Sequence, residues 1–188
     1  MDIRGRSFEA FLEEVKAFHG YPAPGVLLGG IMIETAYRHL PTEGIFDVLC
    51  ETPKCLPDAV QLLTPCTFGN GWLTVVNVGR FALTFYEKEG GKGIRVFVDP
   101  QKLEPVPELK AWFLKLKPKQ EQDTRLLLSQ IREKGSEILR VQEVQVAQNL
   151  LVRKRRGLLG VCPACGEGYP LADGPRCRVC SGMVSLYR

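Results

Sequence analysis

Four cysteines near the end of the chain have the spacing of a metal site. Cys162 and Cys165 form one CxxC unit, and Cys177 and Cys180 form a second unit after a gap of eleven residues. Each unit can make a tight turn that aims both sulfurs at one point, so that the two units close a tetrahedral shell. Zn²⁺ accepts four thiolates without redox chemistry, and a closed shell is typical of a structural site. The sequence therefore predicts one zinc ion here.

Other uses of two CxxC units are two disulfides, a rubredoxin-like iron centre or an iron–sulfur cluster. The spacing favours zinc over all three, but it leaves a zinc ribbon and a treble clef both open. A segment of roughly thirty residues is too short for a hydrophobic core of its own. We therefore expect the metal to supply most of the folding free energy of this segment.

A second set of reactive side chains is spread over the first half of the chain. His19, Cys55 and Cys66 are all predicted to lie at helix ends or in loops, where they could converge on one pocket. A helix N-terminus would favour the thiolate of Cys55, and a nearby His19 could accept its proton or share a metal with it. The alternative is that all three are small buried core residues. Cys50, in a predicted strand, is expected to be plain core.

The elements that would position these residues follow from apolar spacing and caps. Phe8 to Phe18 has helical periodicity, with Ser7 as N-cap and Gly20 as the end. Pro24 opens a second helix that is apolar on most faces, and its glycines indicate close packing in the core. Residues 45–51 fit a short strand, and a third helix is entered through Pro57 with Asp58 in its first turn.

Residues 73–99 contain three β-rich runs separated by Asn/Gly and Gly-Gly turns, which predicts an antiparallel meander. Two helices are expected after it, the second ending near Gly135, and valines at 141–146 indicate a further strand. Helices and strands come in blocks, so we expect an α+β fold in which the meander packs with helices. The predicted organisation is a core domain at 1–150 and a zinc-binding module at 151–188.

Composition and charge exclude some classes of protein. The longest apolar run, 25–33, is far shorter than the roughly 20 residues that a membrane-spanning helix needs, and no secretory signal is recognisable, so we expect a cytoplasmic protein. Residues 151–188 hold seven Lys/Arg against two acids. The run Arg153–Arg156 is better explained as a solvated linker than as a nucleic-acid surface, because few aromatic residues accompany it.

Four stretches of the chain resemble the FmdE family of formylmethanofuran dehydrogenase-associated proteins: FHGYPAPG, CLPDAVQLLTPCTFGNG, NVGRFALTF and GGKGIRV. The resemblance covers nearly the whole chain. It implies an α+β core, followed in some members by a zinc-binding module, and an association with molybdenum or tungsten formylmethanofuran dehydrogenase. It also implies a homodimer, and the apolar stripe at 126–131 could serve an interface or the core.

The family pattern also implies a core metal or thiol site. Its matching positions in this chain are His19, Cys55, Asp58, Gln61, Cys66 and Thr67. In that site His19 would transfer a proton or bind a second metal, the two cysteines would act as thiolates, and Asp58, Gln61 and Thr67 would support them. Tyr21 and Ala23 stand where the pattern has His and Cys.

Together, the family resemblance and the four-cysteine site predict a zinc-binding FmdE-like accessory protein. The alternative is a non-enzymatic zinc module that contacts nucleic acid or a partner protein.

Overall fold

In the computed structural model, which describes residues 1–41, 44–151 and 157–187, the chain divides into two units, Met1–Leu151 and Val152–Arg188. The helices of the first unit are α1 (Phe8–His19), α2 (Pro24–Tyr37), α3 (Leu56–Leu63), α4 (Pro107–Phe113), α5 (Thr124–Lys134) and α6 (Gln148–Leu151). Its strands are β1 (Asp2–Ile3), β2 (Arg6–Ser7), β3 (Phe46–Cys50), β4 (Leu73–Val75), β5 (Ala82–Glu87), β6 (Lys92–Val98) and β7 (Leu139–Gln145). The basic run Arg153–Arg156 lies outside the described residues.

A five-stranded sheet of order β4-β3-β5-β6-β7 forms the centre of the first unit. β5, β6 and β7 are an antiparallel meander, and its first turn uses the positive φ angles of Gly90 and Gly91. This confirms the predicted α+β class. The pairing of β4 differs from the prediction, because β4 does not pair with β5 but lies at the sheet edge, parallel to β3. The connection from β3 through α3 to β4 is thus a crossover rather than a hairpin.

Helix α2 is the central buried element. It packs against β5 and β6 of the sheet and against α1, α3 and α5. Its glycines permit this close approach, as the sequence predicted: a methyl group on Gly29 would lie 2.8 Å from the Ala59 side chain, and one on Gly30 would lie 2.3 Å from the ring of Phe11. α2 and α3 therefore contact each other along a seam of small residues, with their N-terminal ends side by side.

The helix limits match the capping signals. The Ser7 side chain accepts a hydrogen bond from the backbone N–H of Ala10, and Gly20 ends α1 in the left-handed conformation. As a result, His19 is the last residue of α1. In α5, Leu127 and Ile131 are buried while Leu126 stays 43% exposed, so the apolar stripe serves mainly the core. Among the described residues, no helix has both the length and the apolar character needed to cross a bilayer.

The second unit is built on a short antiparallel hairpin of β8 (Leu159–Val161) and β9 (Gly168–Pro170). Tyr169 is buried, and its hydroxyl donates a hydrogen bond to the carbonyl oxygen of Gly174. Most large apolar side chains of the described part of this unit are exposed, as at Leu158 and Val161. A hydrophobic core of ordinary size is therefore not what orders it.

Candidate functional site

The four C-terminal cysteines converge on one point. The sulfur atoms of Cys162, Cys165, Cys177 and Cys180 all lie within 4.8 Å of one another. The Sγ atoms of Cys165 and Cys177 are 3.9 Å apart. Four sulfurs placed tetrahedrally around zinc at about 2.3 Å would be separated by about 3.8 Å, so the arrangement fits a single zinc ion.

Two tight turns hold these thiols. The first follows β8: the backbone N–H of Cys162 donates to the carbonyl of Glu167, and that of Gly166 donates to the carbonyl of Cys162. In the second turn, the N–H of Ser181 donates to the carbonyl of Cys177, and the N–H of Cys180 lies 3.4 Å from the Cys177 sulfur. Each CxxC unit thus presents its two sulfurs on the same side of its turn.

The electrostatics of the cluster also fit a cation. Hydrogen bonds from the backbone N–H groups of Cys177, Cys165 and Ala164 lower the pKa of the Cys162 thiol to about 6. Hydrogen bonds with the sulfurs of Cys177 and Cys165 favour the protonated form of Cys180 and raise its pKa to about 12. A bound divalent cation displaces these protons and lets all four cysteines ionise.

In the core unit, His19 and Asp58 form a direct pair. Nδ1 of His19 lies 2.6 Å from the Asp58 Oδ2 atom, joining the end of α1 to the first turn of α3. The two side chains are 20% and 33% exposed, so a small molecule can reach them. Asp58 fixes the orientation of the imidazole, and the other ring nitrogen, Nε2, remains for a ligand.

Cys55 lies beside this pair, at the residue that precedes α3. Its backbone has φ 61° and ψ −47°, a conformation that a residue with a side chain rarely adopts. Burial raises the pKa of the Cys55 thiol, and the charge of Asp58 raises it further. The helix N-terminus was expected to favour the thiolate, but burial and Asp58 act in the opposite direction and keep the thiol protonated.

Cys66 does not lie near the His19–Asp58 pair and Cys55. It lies beyond the C-terminal end of α3, whereas Cys55 precedes its start, and an eight-residue helix is about 12 Å long. The thiol of Cys66 is buried and donates to the carbonyl oxygen of Phe46 at 3.3 Å, and burial raises its pKa. The expected convergence of His19, Cys55 and Cys66 on one pocket is therefore not seen within a single chain.

The other two supporting residues taken from the family pattern, Gln61 and Thr67, shape the loop after α3. Thr67 accepts a hydrogen bond from the backbone N–H of Asn70, and the Asn70 side chain accepts one from the N–H of Thr67. The Gln61 side-chain oxygen accepts from the backbone N–H of Phe68. Both residues order this loop rather than the surroundings of the His19–Asp58 pair.

Two further neighbours complete the surroundings of His19. The ring of Tyr21 lies 5.0 Å from the imidazole, centroid to centroid, and is half exposed. Ala23 is buried at the start of α2. Gly25 lies in the first turn of the buried helix α2, where a glycine indicates close packing, and it faces Cys55.

A second metal site is not evident. Within the parts of the chain that the structure describes, the four C-terminal cysteines are the only group of three or more His, Cys, Asp or Glu side chains whose ligand atoms meet. Cys50 is fully buried, and burial raises its pKa to about 12, which fits the expected core residue.

These features define the class: an α+β core unit joined in sequence to a small four-cysteine zinc unit. The family described as "FmdE, Molybdenum formylmethanofuran dehydrogenase operon" matches residues 18–148, and the FmdE treble clef zinc finger matches residues 153–188. The chain belongs to the FmdE family, and its C-terminal unit is a zinc-binding treble clef. The choice between ribbon and treble clef is thereby decided.

Two relatives extend this assignment. A crystal structure described as a tungsten formylmethanofuran dehydrogenase FmdE-like protein from Syntrophus aciditrophicus is 48% identical and superposes with a TM-score of 0.91. The match covers 99% of this chain and 98% of that one. A protein from Archaeoglobus fulgidus named "Probable S-adenosyl-L-methionine-binding protein" is 37% identical over 98 residues, which span 48% of this chain but only 27% of the relative.

Proposed function

We propose that this chain is an accessory protein of molybdenum or tungsten formylmethanofuran dehydrogenase-type metabolism, and that its core unit acts through His19, Asp58 and Cys55. The accessory role is supported by the family description and by the FmdE-like protein that matches nearly the full length of the chain. The treble clef has a structural role, because four thiolates leave zinc no open position for a substrate.

The observation that carries the core site is the 2.6 Å contact between His19 and Asp58. A carboxylate that holds one imidazole nitrogen fixes the orientation of the ring and so aims the other nitrogen at a ligand, which is how a histidine is prepared for proton transfer. Both residues are accessible, and both lie at helix ends, where a ligand can approach without disturbing the packing. His19 is thus the proton-transfer residue of the proposed site, and Asp58 is its positioning residue.

Cys55 supplies the thiol. Its strained backbone is retained in a well-packed region, and such strain is concentrated at functional sites. In the resting state the thiol is neutral, so it would donate a hydrogen bond to a bound substrate or give up its proton only after binding. Cys66 belongs to a different part of the core, and we assign it no role in this site.

A thiol and proton-transfer site fits these residues better than a second metal centre. Tyr21 and Ala23 stand at the two positions where the family pattern has His and Cys, and neither offers the nitrogen or sulfur ligand of that pattern. What remains near Asp58 is one imidazole and one thiol, without a third ligand of these types from the described residues.

The test uses a host that depends on formylmethanofuran dehydrogenase. Deletion of the gene for this chain should lower dehydrogenase activity in extracts, and the wild-type chain should restore it. His19→Gln should fail to restore it, whereas His39→Gln should succeed, because His39 is exposed just after the end of α2 and its ring, among the contacts of the described residues, bonds only to the nearby Thr35 carbonyl. Unchanged dehydrogenase activity in the deletion strain would overturn the accessory role, and full rescue by His19→Gln would overturn the site.

The protein is also proposed to work as a homodimer. Phe18 and Tyr21 are both about half exposed next to His19, which makes an apolar surface beside the site. Light scattering should give twice the mass of one chain, and a monomer at micromolar concentration would reject the dimer. The nucleic-acid alternative receives no support from the family or from the relatives.

A further inference from the structure

A cavity lies at the opposite end of α2 and α3 from the His19–Asp58 pair. Its volume is about 490 Å³, which is within the range of small-ligand sites. It is lined by Tyr37 and Leu40 near the end of α2, by Pro65 and Cys66 after α3, and by side chains at the starts of β3 and β4. It therefore shares no residue with the proposed core site.

Aromatic rings make up much of the wall. Tyr37, Phe46 and Trp72 all line the cavity. Tyr37 is braced by an edge-to-face contact with the buried Phe85, whose centroid is 5.1 Å away. Rings held at fixed angles offer flat surfaces on which a planar ligand can stack. The shape and chemistry of the wall thus suit an aromatic molecule.

Among the described residues that line the cavity, Arg4 is the only charged one, and none carries a carboxylate. The Arg4 guanidinium lies 3.7 Å from the centre of the Tyr37 ring. Stacking uses the face of a guanidinium and leaves its N–H edge free, and that edge matches a carboxylate in a two-bond contact.

The backbone holds Arg4 at this place. Arg4 and Gly5 have φ angles of 53° and 80° in the tight turn between β1 and β2. The backbone N–H of Arg4 donates to the Glu34 carboxylate on α2 at 3.0 Å. The turn and this hydrogen bond hold the Arg4 backbone in place beside the helix that carries Tyr37. Ligand binding therefore costs little further conformational entropy at Arg4.

We propose that this cavity binds a planar aromatic anion, with the carboxylate on the edge of the Arg4 guanidinium and the ring system against Phe46 and Trp72. Among the described lining residues, the single positive charge of Arg4 selects an anion, and the aromatic rings select a flat apolar body. The buried Cys66 thiol forms part of the wall and donates a hydrogen bond to the carbonyl oxygen of Phe46. The proposal is independent of the function assigned to His19, Asp58 and Cys55.

Titration calorimetry with β-naphthoate on the full-length zinc-loaded protein tests the proposal. We expect binding that weakens roughly tenfold or more in Arg4→Met, the scale of one lost charge-assisted contact. Arg38→Met is the matched control, because Arg38 pairs with the same Glu34 on the surface of α2 and does not line the cavity. Binding should be unchanged in this control.

Two further measurements keep the outcome clear if Arg4→Met folds poorly. The neutral isostere β-naphthamide should bind the wild-type protein at least about tenfold more weakly than β-naphthoate. In the NMR spectrum, β-naphthoate should shift the indole N–H signal of Trp72 and leave that of Trp112, the other tryptophan, in place. Equal affinity for the two probes, no binding, or equal shifts of both indoles would each overturn the proposal.

Discussion

Gly25 and Cys55 touch where α2 and α3 begin, and a methyl group on Gly25 would lie 2.7 Å from the Cys55 Sγ atom and 2.8 Å from its Cβ atom. We therefore expect Gly25→Ala to lower the free energy of unfolding by about 1–3 kcal/mol, the usual cost of overpacking. Urea unfolding measures it. Gly69→Ala is the control, because a methyl group there would come no closer than 3.9 Å to its nearest neighbour, the hydroxyl of Thr67.

Combining Gly25→Ala with Cys55→Gly should reduce this cost, since Cys55→Gly removes both clashing atoms and also suits the φ of 61°. An equal cost of Gly25→Ala in both backgrounds would show that the two residues do not compete for the same space.

The charge of Asp58 should control the reactivity of Cys55. Burial and Asp58 raise the pKa of the thiol, so its alkylation by iodoacetamide should be slow near neutral pH and should increase as pH rises. Asp58→Asn removes one of the two causes, lowers the pKa and should speed the reaction at about pH 8. Peptide mass spectrometry locates the modified residue.

Glu13→Gln serves as the control for Asp58→Asn, because Glu13 is exposed on α1 and pairs with Lys16 at the surface. Slower alkylation in Asp58→Asn would mean that Asp58 activates the thiol through His19, which is the opposite of the expected effect.

Removal of zinc should unfold the treble clef and leave the core unit intact. The intact protein should contain about one zinc ion per chain. After chelation, the backbone amides of Gly166 and Ser181, which bond within the two cysteine turns, should lose protection in hydrogen exchange. Amides of β5 and β6 should keep theirs. Cys165→Ser should reproduce the loss of zinc, whereas Cys66→Ser should not, and retained protection of Gly166 after chelation would contradict a metal-dependent fold.

Glu51 should make the core unit sensitive to acid. Burial alone would raise the pKa of this carboxyl, but the hydrogen bonds and charge of Arg95, together with Arg80, outweigh burial and hold the pKa below its usual range. A carboxyl with a depressed pKa stabilises the fold above its unfolded pKa, and this contribution is lost as pH falls through the folded pKa.

Glu51→Gln should therefore cost about 3 kcal/mol at neutral pH, the scale of a buried ion pair that loses one partner. It should also flatten the fall in stability below about pH 4. Urea unfolding across this pH range checks both effects. Glu13→Gln, which breaks an exposed pair, should change neither quantity, and a Glu51→Gln protein with the wild-type pH profile would reject the assignment.

Local signals were enough to predict most of the elements. Ser7 and Gly20 limit α1, Pro24 opens α2, and Gly90 and Gly91 turn the chain between β5 and β6, and all of these effects act within a few residues. The place of β3 between β4 and β5 depends on side chains far apart in sequence. A short apolar strand can pair on either edge, so its neighbours were not predictable from alternation alone.

The site residues likewise divide into those that local sequence signals predict and those that depend on contacts between distant parts of the chain. The four zinc ligands were predictable because two tight turns fix the direction of their sulfurs. The separation of Cys66 from Cys55 could have been predicted, because the two residues lie on either side of the predicted helix. The contact between Arg4 and Tyr37 could not, since it requires a left-handed residue in a two-residue turn to meet a helix more than thirty residues away.

The seam of small residues between α2 and α3 has one more consequence. Helices that approach each other through glycine and alanine are closely packed, so one cannot tilt without opening a void along the other. The imidazole neighbourhood lies at one end of this pair and the aromatic cavity at the other. A bulky residue introduced midway, at Gly29, should therefore displace α2 relative to α3 and disturb both the surroundings of His19 and the aromatic cavity.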